Sequence, residues 1–236
     1  MQRHLGDRAF TLIEILVVMT LIAILAGIAF PSFIGVMEAA RKTQAKNDEQ
    51  QIVTALNGYY TEYGKYPVNV PVGNTTDAYF FCGPGNTCVP GTAPAGATSY
   101  GSNAVLFDVL RNNTTGTNSA TVTLLNPRQI VFIQPPSVKN FTNPVLGVVP
   151  NGNPLAGGWY DPWGSQYNVT ADCNYDNQLT NPYADAPGGT SLNIGVITWS
   201  FSRNGALGGG SAVSGFSSES GTAGNFSGSI DIISWQ

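Results

Sequence analysis

The spacing of apolar residues divides the chain into stretches that call for different structures. Residues 1–9, MQRHLGDRA, are polar and mildly basic. From Ile15 to Val36 there is then no charged residue, and the run LVVMTLIAILAGIAF is strongly apolar. About 20 such residues suffice to cross a bilayer as a helix, and the short basic flank predicts a cytoplasmic N-terminus. Beyond Pro31 polarity returns but the helical period persists. Ile52, Leu56, Tyr59 and Tyr63 are spaced four, three and four apart, with Val53 and Tyr60 beside them. Arg41, Lys42, Lys46, Asp48, Glu49 and Gln50 occupy the other positions, which reads as a solvated side. One helix over residues 10–63 is expected, roughly 80 Å long. Its first half is apolar and its second half amphipathic, the aromatic stripe packs on a sheet, and Gly64 and Pro67 end it.

Near the C-terminus the pattern changes to short apolar runs separated by turn residues. Asp161-Pro162-Trp163-Gly164 reads as a turn between strands, with Trp163 placed to cap an apolar face. Residues 167–169, 196–201 and 230–235 read as strands, and 202–229, rich in Gly and Ser, as a surface loop. Residues 68–154 offer little pattern and read as a large insertion, with 129–133 its best strand candidate. The fold class expected is α+β: a long N-terminal helix packed on a small antiparallel sheet with a large loop-rich insertion.

Composition narrows the function. Only 10% of the 236 residues are charged and the formal charge is −4, so no basic surface is available for a phosphate backbone and nucleic acid is not an expected partner. The single histidine, His4, lies in the N-terminal segment, which leaves the rest of the chain without the usual general base or zinc ligand. No nucleophile elbow, phosphate loop, dinucleotide loop or Cys-x-x-Cys occurs, so no enzyme is expected. Cys82 and Cys88 flank Gly-Pro-Gly-Asn-Thr, a turn that could close a small disulfide loop in an oxidising compartment. Pairing of either with Cys173, or three free thiols, are the alternatives. The run Asp172, Cys173, Asn174, Tyr175, Asp176, Asn177 places oxygens at alternate positions, as a calcium loop begins, but lacks the glycine and the twelfth-position Glu. A turn closed by Asx hydrogen bonds is the competing reading. Asn-x-Ser/Thr triplets at Asn74, Asn140 and Asn168 are expected by chance in so Asn- and Thr-rich a chain.

Glu14 decides among the readings of the N-terminus. A carboxylate at the head of an apolar span is costly in lipid and is kept where it finds a partner. A signal anchor gives it none. A cleaved secretory signal, for which Gly27-Ile28-Ala29 supplies small residues, leaves it interrupting the early apolar region. Cleavage after Ala9 would expose an α-amino group on Phe10, and the Glu14 of one subunit could then pair with the Phe10 amine of its neighbour inside an apolar filament core.

Ala9-Phe10-Thr11-Leu12-Ile13-Glu14 with its apolar run resembles the cleavage and methylation motif of type IV prepilins, and Pro31 resembles the helix-kinking proline of many pilins. The resemblance implies a prepilin peptidase that cuts between Ala9 and Phe10 and N-methylates Phe10, with Glu14 setting subunit register in assembly. The family usually has Gly where this chain has Ala9. Tyr66-Pro67 after a glycine turn, the Asp161-Pro162-Trp163-Gly164 hairpin with Tyr167, and Val196–Ser200 with Ile230–Trp235 downstream are similar to the major, protein G type pseudopilins of type II secretion systems. That family binds calcium in a C-terminal loop, where this chain has Asn204 and Asp231 as its counterparts and few carboxylates. The organisation expected is a leader at 1–9, a membrane and filament-core helix at 10–35, its amphipathic half at 36–66, an insertion at 67–155 and a β region at 156–236. The function implied is a pseudopilus subunit for protein export across the outer membrane. It would be anchored once in the bacterial inner membrane with its soluble part in the periplasm. Its partners would be further copies of itself, minor pseudopilins, the prepilin peptidase and the inner-membrane assembly platform. The alternatives are a type IV pilus subunit for adhesion, motility or DNA uptake, and a signal-anchored periplasmic binding module.

Overall fold

A single helix, α1 (Leu12–Tyr63), accounts for the two helical stretches of the sequence at once. Its backbone continues through Pro31 without a break. Gly64 ends it in the left-handed region, at φ 66°, and donates its N–H to Tyr60 O at 2.8 Å, which satisfies one of the last carbonyls. The computed structural model describes residues 10–71, 73–80, 82, 97–183, 185, 188–203, 226–227 and 229–235, with the side chains of 28–34 left out. The chain forms two units, Met1–Arg41 and Lys42–Gln236.

In the second unit a five-stranded sheet runs in the order β2 (Ala97–Gly101), β1 (Asp77–Phe80), β5 (Asn168–Ala171), β8 (Val196–Ser200), β9 (Ile232–Ile233). All neighbours are antiparallel except β1 and β2, which are parallel, so the sheet is mixed rather than wholly antiparallel. Alternate side chains point to opposite faces. Ala78, Phe80, Val169, Ala171, Val196 and Ile232 join Ile52, Leu56 and Tyr59 of α1 in one core, together with α2 (Ala104–Leu110) and α3 (Ser119–Leu125). Tyr79, Ile197, Trp199, Phe201 and Ile233 face the other way, onto Leu179, Tyr183 and Leu192, residues of or near the two-stranded β6 (Leu179–Thr180) and β7 (Ser191–Leu192). Both faces are therefore covered, which is why the central strands are buried along their whole length.

Residues 68–154, the stretch with little sequence pattern, supply β1, β2, α2, α3 and β3 (Gly147–Val148), and so one edge of the sheet and a large share of the core. Residues 129–133 form no strand. Gln129 has φ 56°, Pro127 and Pro135 bracket the segment, and its backbone bond goes from Phe132 N–H to Leu110 O instead of into a ladder. The last strand is only Ile232–Ile233, shorter than 230–235. The turn at Asp161–Gly164 forms as expected, but β4 (Trp159–Tyr160) before it pairs with β3 rather than joining a full hairpin with β5.

Candidate functional site

Phe10 and Thr11 stand outside the helix and Thr11 caps it. The Thr11 N–H and its Oγ each lie 2.8 Å from Glu14 Oε2, and Glu14 N–H returns a 3.3 Å bond to Thr11 Oγ. This is a reciprocal capping box, in which a carboxylate three residues into the helix satisfies the cap's backbone donor. It also holds a negative group at the positive end of α1. Ala9 lies outside the described residues, and Phe10 is 80% exposed. From Leu12 to Leu25 the large apolar side chains are exposed without exception, on every side of the helix. Such a surface must be covered by lipid or by other apolar chains. Among the described residues no helix is long and apolar enough to cross a membrane; the side chains of 28–34, at the C-terminal end of the apolar run, are not among them.

In the second unit the buried stripe of α1 reads Ala45, Asp48, Glu49, Ile52, Ala55, Leu56 and Tyr59. Asp48 and Glu49, expected on the solvated side, are buried. Counting back from Ile52 by three and four lands on them, so the helical period carried the signal and their charge masked it. Asp48 accepts bonds from the Tyr167 hydroxyl at 2.9 Å and Gln44 Nε2 at 2.8 Å, yet burial still raises its pKa. Asp161 is fully buried too. Its Oδ1 accepts the N–H groups of Trp163 and Ser165, each at 2.9 Å, and its Oδ2 accepts the Ser200 hydroxyl at 2.5 Å. Burial outweighs these bonds and pushes its pKa up to about 6. The turn motif is thus a bolt between the β4 turn and β8.

The calcium candidates do not converge. Asp172 accepts the N–H groups of Tyr175 at 2.5 Å and Asn177 at 2.9 Å, Asn174 accepts that of Asp176, and Asp176 that of Gln178. Their oxygens close Asx turns, the competing reading of that run. Asp231 accepts the Tyr183 hydroxyl at 2.7 Å, and Asn204 lies outside the described residues. Among the described residues no three His, Cys, Asp or Glu side chains come together as metal ligands. Cys82 is disulfide-bonded, Cys173 is a buried free thiol pushed up to about 12 by burial, and Cys88 lies outside the described residues. Of the Asn-x-Ser/Thr triplets named above, Asn168 is buried in β5, Asn74 is tied to the carbonyls of Thr76 and Cys173, and Asn140 is exposed.

Residues 5–30 match the prokaryotic N-terminal methylation motif. The N-terminal segment of the chain thus carries a prepilin-type methylation motif. It is 37% identical over 60 residues to the type IV major pilin protein PilA of Myxococcus xanthus (strain DK1622), covering 25% of this chain and 27% of that one. It is 35% identical over 61 residues to the type II secretion system core protein G of Pectobacterium carotovorum subsp. carotovorum, covering 26% and 39%. The likeness thus spans well under half the length of either relative and lies in the N-terminal quarter of this chain. No solved structure matches the chain. Pilins and pseudopilins are structural subunits processed by a prepilin peptidase and assembled into filaments, and a prepilin-type motif implies a membrane-anchored N-terminus.

Proposed function

We propose that this chain is a non-enzymatic filament subunit, a pseudopilin of a type II secretion system. Its anchor lies in the bacterial inner membrane and its second unit in the periplasm. The observation that carries the filament reading is Glu14, a carboxylate three residues behind the cap of a helix whose apolar surface is exposed all round. Cleavage between Ala9 and Phe10 by the prepilin peptidase would place a new cation, methylated on its nitrogen, beside the positive end of that helix. The apolar helices of neighbouring copies would then cover one another, and each Glu14 would take the Phe10 amine of a neighbour as its partner. Minor pseudopilins and the inner-membrane platform would start and drive the assembly.

The Asp161-Pro162-Trp163-Gly164 bolt and the Tyr66-Pro67 turn favour the secretion pseudopilus. The match to a major pilin favours a second reading, a type IV pilus subunit. Deleting the gene separates them. Loss of exported proteins with motility and surface fibres intact supports the pseudopilus, and the reverse pattern supports the pilus. Intact mass of the purified protein tests processing. It should begin at a methylated Phe10, and a chain beginning at Phe30 would mean ordinary signal cleavage and would end the filament reading. Calcium dependence should be small at most, because the acidic oxygens of Asp172 and Asp176 already accept backbone donors.

A further inference from the structure

Glu49 is fully buried on the stripe of α1 that packs against the sheet, and neither of its carboxylate oxygens makes a hydrogen bond of good geometry, although the Ser200 N–H lies close enough to act on it. The groups that face it come from every element around it. Lys46 and Asp48 lie on α1 itself, and Asp161 in the turn after β4. Tyr167, beside β5, gives its hydroxyl to Asp48, and Tyr183, after β6, gives its own to Asp231. On β8 the Ser200 hydroxyl is given to Asp161. Three carboxylates thus share one interior, and the cation acting on Glu49, Lys46, is itself exposed.

An ionised carboxylate with no partner is far costlier to bury than the neutral acid. Like charges nearby add to that cost. We infer that Glu49 is a proton-binding site built into the packing of α1 on the sheet, neutral while the second unit is packed, and that losing the proton loosens that packing. The inference does not depend on the filament reading. Burial is the largest influence raising the Glu49 pKa well above its ordinary value; Asp161 and Asp48 add to it, while Lys46 and the Ser200 N–H oppose it. A raised folded-state pKa means that the folded chain holds the proton more tightly than the unfolded one. Its contribution is complete below the unfolded value, about 4.3, and is lost as pH rises through the folded value.

The test is thermal melting of the full chain in detergent micelles from about pH 5 to about pH 9, for wild type and Glu49→Gln, which imitates the neutral acid. Wild type should lose several degrees as pH rises. Glu49→Gln should match it near the acid end, exceed it by several degrees at the alkaline end, and keep the part of the slope that Asp77, Asp161 and Asp48 cause. The infrared difference between the two at neutral pH should contain the carbonyl stretch of a protonated carboxylic acid. Parallel pH profiles, or a Glu49→Gln chain that melts lower throughout or fails to fold, would show an ionised, bonded carboxylate and overturn the inference. Stabilisation of wild type but not of Glu49→Gln by added calcium at alkaline pH would overturn it in favour of a cation site.

Discussion

At the scale of single residues, the functional weight falls on Glu14 and the structural weight on buried polar groups. Glu14→Ala removes both the capping box and the acceptor proposed for a neighbour's amine. Membrane insertion should survive, since an apolar residue replaces a charge in the apolar segment. The variant should therefore accumulate as a processed membrane protein that yields no filaments in shearing or crosslinking assays. Glu14→Gln, which can still accept a hydrogen bond, should be impaired less. Wild-type assembly by Glu14→Ala would refute the pairing. Asn103 is the counterpart in the second unit. Its amide donates to Trp159 O and Tyr167 O, and its Oδ1 accepts the Trp159 N–H, at 2.9–3.1 Å in a buried setting. Asn103→Ala would remove these bonds from the Trp159 N–H and Tyr167 O, leaving Trp159 O with the Tyr167 N–H, and should cost about 2–3 kcal/mol in denaturant unfolding, whereas a change on the exposed face of α1 should cost little.

At the scale of elements, α1 is positioned by its ends and by one stripe. Gly64 is needed for its backbone alone, because nothing lies within 4 Å of where a Cβ would stand. Gly64→Ala should destabilise by about 1–2 kcal/mol, the strain of an L-residue in the left-handed region, with the fold unchanged by circular dichroism. Ile52→Ala, at a fully buried position, should cost about 2–5 kcal/mol by leaving a cavity. The two hydroxyls at the end of α1 tie it to the segment that carried no clear pattern. Tyr59 donates to Leu125 O at 2.5 Å and Tyr63 to Asn126 Oδ1 at 2.6 Å. Asn126 in turn bonds Val109 O and Ile130 O, so the turn after α3 is latched to α1 and to α2 together.

At the scale of the whole molecule, buried acid groups set the response to pH. Asp77 and Asp161 are both raised to about 6, chiefly by burial, and Asp48 is raised as well. Asp77 and Asp161 favour folding below their unfolded value, about 3.9, and that contribution fades as pH climbs through about 6, with Asp48 acting in the same direction. Stability of the second unit should therefore decline from mildly acidic to neutral pH, with Asp161→Asn removing part of the decline in a melting series. Calcium against chelator should leave the melting midpoint nearly unchanged. A shift of many degrees would reassign Asp172, Asp176 or Asp231 as metal ligands.

The sequence by itself determined the apolar segment, the length of α1 and its stop at Gly64, because hydrophobic spacing and left-handed glycine are local physics, whereas the Thr11 capping box was seen only in the structure. The sequence also determined the turn at Asp161, whose chemistry is written in four consecutive residues. Only the tertiary structure decided that residues 68–154 belong to the core, since β1 and β2 gain their meaning from pairing with β5 and with each other across long stretches of chain. It alone put Asp48 and Glu49 inside. A helix face is buried or solvated according to what packs on it, and charge is a poor guide once a Tyr167 hydroxyl or a retained proton can make up for lost water.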